Sequence, residues 1–170
     1  MLAVLALQCS PSTAAAPNHP APPASSTSAD VADFTLESLD GETRSLSDFA
    51  GRDVVLLVFW GSWCQSCVAA MSQLNEVYQR HQASGFTVLG VSMDGPETVA
   101  DVHAYVRRNR ISFPVLLDQE SRAVSLHNPQ RVAPFFVLLG SDGRVVRRRD
   151  GFQPGDAQEI EKDVVGALGQ

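Results

Sequence analysis

The sequence predicts an α/β fold: a layered sandwich with a central mixed β-sheet flanked by helices and an N-terminal β-hairpin. Three observations predict it. Two continuous apolar runs, "DVVLLVFW" (53–60) and "FTVLGVSM" (86–93), have the composition of strands buried on both faces. Between them, apolar residues recur at Val68, Met71, Leu74, Val77 and Tyr78, the spacing of a helix that covers one face of a sheet. Outside this unit, Asp40-Gly41 and Ser141-Asp142-Gly143 mark tight turns, each between short runs of strand character.

Taken in order, "DFTLESLDGETRSLSDF" places Phe34 and Leu36 at period two before the Asp40-Gly41 turn and reads as a hairpin. The first buried strand follows, then the helix after Cys67, then the second buried strand. Pro96 to Arg108 reads as an amphipathic helix with Val99, Val102, Tyr105 and Val106 on one face. "PFFVLLG" and "GRVVRRR" flank the second turn, and Ala157 to Leu168 closes the chain as a helix. The order is a βαβ unit followed by a βββα-like end, without an internal repeat. The basic run Arg144 to Asp150 reads as a solvated strand edge, since basic side chains discourage edge-to-edge pairing.

Composition bounds the function. The 170 residues carry 19 acidic and 13 basic side chains, a net charge of −6, which argues against a nucleic-acid partner. The chain divides near residue 30. Residues 31–170 have the pattern of one globular domain. Residues 10–30 are rich in Pro, Ala and Ser and form a disordered linker by composition. Residues 1–9 are a short apolar segment ending at Cys9, too short to span a bilayer, which takes ~20 residues. They resemble the end of a secretory signal running into a lipoprotein cleavage site, with Cys9 as the lipidation candidate. A basic n-region is missing, and Gln8 stands where a small residue normally precedes the lipidated cysteine. A disordered cytosolic tail with an inert thiol is the alternative.

The chemistry sits in "FWGSWCQSCVAAM" (59–71). A buried strand ends near Trp60 and the helix begins around Cys64, so Cys64 lies at or near a helix N-terminus, where backbone N–H groups lack intrahelical partners. Those donors and the helix dipole favour the thiolate. Lowering a thiol pKa from about 8.5 to about 7 takes roughly 2 kcal/mol, within the reach of the two effects together. Cys67, one turn inside, is expected to be more buried and to act as the resolving thiol. Structural zinc wants four Cys or His ligands, and here the four histidines are scattered singly, each a surface or satisfied residue. No metal site is assigned. Copper(I), which accepts two soft ligands, stays open as a second use of the pair. A purely structural disulfide across so short a loop stabilises little.

With these residues identified, "VVLLVFWGSWCQSCVAAMSQL" resembles the active-site segment of thioredoxin-like proteins, closest to the membrane-tethered TlpA/ResA type of the AhpC/TSA–redoxin group. The resemblance continues through "DFTLESLDGETRSLSDFAGRDVV" and "VAPFFVLLGSDGRVVRRRDGF". It implies a thioredoxin-like three-layer sandwich. It also implies a cis proline at Pro134, preceded by Ala133, whose backbone N–H and C=O would receive an extended substrate. Trp63 would shield one side of Cys64, so Trp63, Ala133 and Pro134 are the substrate-binding candidates beside Cys64 and Cys67.

The sequence also departs from that pattern. Gln65 and Ser66 separate the cysteines, with no cation between them. Many proteins of the resembling type keep a buried acid six residues before the first cysteine or three after the second, positions held here by Val58 and Ala70. Phe135 and Phe136 replace small hydroxyl residues after the proline. Phe136 is expected in the core, and Phe135 is a candidate for extra apolar surface in the substrate groove. The resulting expectation is a protein-disulfide oxidoreductase, a reductase more than a strong oxidant, without a cofactor. It would act on a disulfide-containing protein in the periplasm or cell envelope, anchored at its N-terminus. The resemblance implies a membrane-embedded thiol electron donor. A peroxiredoxin-like thiol peroxidase is the alternative, although "GSWC" offers only Ser62 for the polarising hydroxyl that chemistry needs; a copper(I)-binding carrier is a third.

Overall fold

The structure is a computed structural model and describes residues 31–169. The apolar segment 1–9 with Cys9 and the linker over 10–30 lie outside the described residues.

The elements follow in the order β1 (Thr35–Ser38), β2 (Thr43–Ser45), β3 (Val54–Trp60), α1 (Gln65–His81), β4 (Phe86–Ser92), α2 (Val99–Asn109), β5 (Val115–Leu117), α3 (Arg122–His127), β6 (Phe135–Leu139), β7 (Val145–Asp150) and α4 (Asp156–Leu168). They build a seven-stranded sheet in the order β2-β1-β5-β4-β3-β6-β7. β3 runs parallel to β4 from Val54↔Phe86 to Trp60↔Ser92 and antiparallel to β6 from Val55↔Leu139 to Phe59↔Phe135, which makes the sheet mixed. The β1–β2 hairpin turns at Gly41, whose φ of +81° is a conformation that L side chains rarely adopt.

β3 is buried along its whole length because both faces are covered. Its residues alternate between two cores, as a period of two requires. Val54, Leu56, Val58 and Trp60 pack with Met71 and Leu74 of α1, Val102 and Tyr105 of α2, and Ile160 and Val164 of α4. Val55, Leu57 and Phe59 pack on the opposite face with Val31, Phe34, Leu46, and Ala123 and Val124 of α3. This is the three-layer arrangement, and truncating a fully buried side chain such as Leu74 to Ala costs about 2–5 kcal/mol.

Two features differ from the sequence-based expectation, and a third agrees with it in part. β5 and α3 stand between the βαβ unit and the last hairpin, where no element was expected. A strand over 115–117 and a helix over 122–127 are too short to display a period. α2 begins at Val99, three residues after Pro96, because residues 96–98 form a turn. The basic run lies on β7, at the sheet edge, with Val146, Arg147 and Arg148 exposed as expected. Part of it is committed elsewhere: Arg147 pairs with Asp163 at 3.0 Å and Arg149 with Asp156, tying β7 to α4.

Candidate active site

β3 delivers the chain to one end of the sheet, and a turn redirects it into α1. The turn is closed by Cys64 N–H donating to Gly61 O at 3.1 Å. At Gly61 a Cβ would fall 2.8 Å from Cζ2 of Trp63, whose indole folds back over it, so a side chain there would have to displace that ring. Trp63 is 60% exposed, the most exposed of the large apolar side chains described.

Cys64 is the N-cap of α1, with an extended backbone (φ −97°, ψ 107°). Its Sγ accepts from the Cys67 backbone N–H at 3.2 Å, one of the helix-end donors without an intrahelical partner. The Ser66 hydroxyl stands 3.5 Å from the same sulfur. Cys64 and Cys67 are joined as a disulfide, with Cα atoms 5.2 Å apart. Cys64 is 7% exposed and Cys67 fully buried, so Cys64 is the more accessible of the two. Val58 and Ala70 are fully buried in the same apolar cluster as Cys67. No acid stands at either place where the resemblance put a proton acceptor.

The Ala133–Pro134 bond is cis. Ala133 packs against the cluster that holds both cysteines. Among the described residues neither its N–H nor its C=O has a backbone partner, which leaves both available. The segment before it is fixed by Asn128, 2% exposed. Its side chain donates from Nδ2 to Val132 O at 2.7 Å and accepts from Val132 N–H at 3.0 Å, pairing with residue 132 as a neighbouring strand would. Phe135 corrects an expectation. It packs on the opposite face of the sheet, 6.1 Å from the ring of Phe59, because alternation along β6 sends Phe136 and not Phe135 to the dithiol side. Phe136 sits in the core as expected, 6.2 Å from Phe152.

Two polar groups were not singled out in the sequence. Asp94, just past β4 and 1% exposed, accepts from Ser62 N–H at 2.9 Å, Ser62 Oγ–H at 2.6 Å and Ser92 Oγ–H at 2.8 Å. The signal for it was an acid at the C-terminal end of a buried parallel strand, where sites gather in open α/β sheets. Its bonds commit the Ser62 hydroxyl away from the thiol it was considered to serve. Asn128 was signalled only by the turn dipeptide Asn128-Pro129. His127 is half-buried and satisfied only in part, with a backbone hydrogen bond at Ala32. It lies 5.5 Å from the ring of Phe34 and 6.2 Å from that of Phe59, its Nε2 is buried without a partner, and burial holds its pKa below the ordinary value.

No helix among the described residues is long and apolar enough to cross a membrane, and no group of three or more His, Cys, Asp or Glu comes together among them.

Comparison with known proteins places this arrangement. Residues 27–148 match the model of the AhpC/TSA family. The thiol-disulfide oxidoreductase ResA of Geobacillus thermodenitrificans is 30% identical over 113 residues, 66% of this chain and 63% of that protein. ResA of Bacillus cereus is 30% identical over 120 residues, 71% of this chain and 67% of that protein. The chain thus spans about two thirds of the length of these curated relatives. Among solved structures, a Chlorobium tepidum protein assigned as the thiol:disulfide interchange protein DsbE superimposes with a TM-score of 0.75 at 28% identity, over 82% of this chain and 96% of that one. StoA from Bacillus subtilis shares the fold, with a TM-score of 0.63 at 22% identity over 78% of this chain and 96% of that one. With a cis proline, a Cys-x-x-C pair at a helix start and a mixed sheet covered on both faces, this chain belongs to the AhpC/TSA family and has its thioredoxin-like fold.

Proposed function

We propose that this protein is a thiol–disulfide oxidoreductase that reduces disulfides of protein substrates through Cys64 and Cys67. The observation that carries the reading is the disulfide across the N-cap of α1, with Cys64 slightly exposed, at 7%, and Cys67 fully buried behind it. In the reduced protein, the Cys64 thiolate attacks one sulfur of the substrate disulfide and forms a mixed disulfide, and the first substrate thiolate leaves. Cys67, deprotonated, attacks Cys64 Sγ and releases the second substrate thiolate. The substrate gains two electrons and two protons, and the protein is left as the Cys64–Cys67 disulfide. The helix-end N–H of Cys67 favours the thiolate form of Cys64 both as nucleophile and as leaving group. Ala133 and Pro134 form the edge against which an extended substrate segment lies, and exposed Trp63 supplies apolar contact. The names of the relatives and of the 28%-identical structure support this activity.

The site of action is the cell envelope, with residues 1–9 and Cys9 as the anchor, residues 10–30 as the tether and a membrane-embedded thiol donor returning the disulfide to the dithiol. The N-terminal lipoprotein-like pattern supports this part. The peroxidase reading loses its candidate hydroxyl, since Ser62 donates to Asp94.

The test is capture. Cys67→Ser leaves the attacking thiol and removes the resolving one, so mixed disulfides accumulate with the substrate protein. Cys64→Ser captures nothing and shows only background reduction of insulin disulfides. Full insulin reduction by Cys64→Ser, or peroxide consumption without disulfide reduction by the wild type, defeats the proposal.

A further inference from the structure

We propose that Asp94 is a positioning residue for the attacking thiol: it holds the turn that delivers Cys64 to the start of α1. This rests on the reading of Cys64 as the attacking sulfur.

Asp94 touches neither cysteine in any bond described. Its carboxyl oxygens take three hydrogen bonds, and two of them come from a single residue, Ser62, through its backbone N–H at 2.9 Å and its hydroxyl at 2.6 Å. Ser62 is the second residue of the turn closed by Cys64 N–H to Gly61 O at 3.1 Å. The third bond, from Ser92 Oγ at 2.8 Å, ties the acid to the end of β4, and the same Oγ accepts from Asp94 N–H at 3.2 Å. Met93 N–H donates to Trp60 O at 2.7 Å, so the ends of β3 and β4 are locked together just below the turn. A buried acid is costly unless its oxygens are satisfied. Here the satisfaction is directed at the turn.

The consequence for the thiol follows from geometry. As N-cap, Cys64 Sγ receives the Cys67 N–H at 3.2 Å, and hydrogen bonds weaken steeply when donor and acceptor fall out of line. Releasing Ser62 frees the turn, loosens that alignment and makes the thiolate harder to form. The charge of the acid acts in the opposite sense, because a nearby negative group disfavours a thiolate. Removing Asp94 therefore raises the Cys64 pKa if the acid positions the turn, and lowers it if the acid acts by its field.

The experiment measures the pH dependence of iodoacetamide alkylation in the reduced protein, with each labelled cysteine identified by mass spectrometry and melting followed by circular dichroism. The variants are Asp94→Asn, Ser62→Ala and Ser62→Thr. In the wild type Cys64 labels first. In Asp94→Asn its midpoint rises by about one pH unit, about tenfold less thiolate near neutrality. Ser62→Ala keeps the backbone bond and gives a smaller rise, while Ser62→Thr restores the hydroxyl and returns the midpoint to the wild-type value. If Asp94→Asn fails to fold, the half-buried Ser62 pair carries the test. A lowered melting temperature with an unchanged midpoint in these variants makes Asp94 merely structural and overturns the proposal, as does a fall in the midpoint. Faster labelling of Cys67 in the wild type defeats the reading of Cys64 itself, a failure seen without any variant.

Discussion

The two ends of α1 are built from opposite materials. At its N-terminus the helix carries no acid in the first turn, only Gln65 and Ser66, and the cap is a sulfur. At its C-terminus Arg80 and His81 converge on Glu161 of α4. Arg80 donates from Nε and Nη2 at 2.9 and 2.8 Å, and His81 Nε2 lies 2.7 Å from Oε1. Arg80, a cation at the helix C-terminus, opposes the negative end of its dipole, so that end gains stability from charge. An acid in the first turn would gain as much at the other end, yet it would occupy the helix-end donors that a thiolate needs and would repel it. The difference teaches that the reactive end forgoes an ordinary helix-stabilising device. The N–H donors are left for Cys64, and charge is placed at the end away from the proposed site.

The sharpest way to break this contrast is to put an acid behind the dithiol. Ala70 is fully buried beside Cys67, so Ala70→Glu overpacks the core and buries a carboxyl without a partner, at a cost of about 3 kcal/mol. On the proposed mechanism the wild type has no acid to take the proton of Cys67, so decay of a mixed disulfide should accelerate with pH past neutrality. In Ala70→Glu the carboxyl, raised toward neutrality by burial, should take that proton and speed decay near pH 7. Ala70→Gln carries the same packing cost without a base. Stopped-flow decay of the mixed disulfide compares the three. Equal rates for the Glu and Gln variants would show that resolution does not wait on a proton acceptor.

How much of this was legible in the sequence depends on range. The buried runs of β3 and β4, the periodic face of α1 and both hairpins are local patterns, and all appear at or within a few residues of their expected places. Cys64 at the helix start is also local, since a strand, a short turn and a helical period fix it. Asp94 and Ser62 are 32 residues apart, and no pattern in either segment announces the other. Asn128 pairs with Val132 through its side chain, in a loop whose sequence shows only a turn. The face to which Phe135 points was decided by the register of β6 on β3, Phe59↔Phe135, which periodicity within "PFFVLLG" leaves open. Local apolar spacing is written in the chain; polar partnerships across the fold are not.

A smaller change tests the first turn directly. Ser66 is exposed, with its hydroxyl 3.5 Å from Cys64 Sγ. Ser66→Asp should supply the missing acid and raise the Cys64 pKa by about one unit, while Ser66→Lys should lower it by a similar amount. Near neutrality this is up to about tenfold in thiolate in each direction, read as initial rates of alkylation. Both effects should shrink in high salt, because the position is open to solvent. Equal rates in the two variants would mean that backbone donors alone set the thiol.

The smallest expected effect lies at the other end. Arg80 and His81 hold the Glu161 carboxyl well below the ordinary 4.5, at about 2. Since the folded protein binds this proton less readily than the unfolded chain, the cluster adds stability above about pH 4.5, and that stability is lost as pH falls toward about 2. Arg80 is half exposed, and solvent screening limits the contribution to about 1 kcal/mol, a few degrees in Tm for a chain of this size. Glu161→Gln should therefore melt slightly below the wild type at neutral pH and converge with it in acid. It should leave alkylation of Cys64 and the insulin reduction rate unchanged, because charge clamps this end of the helix and the chemistry runs at the other. A change in the Cys64 alkylation midpoint in Glu161→Gln would show that the two ends are coupled along α1, and the contrast between them would fail.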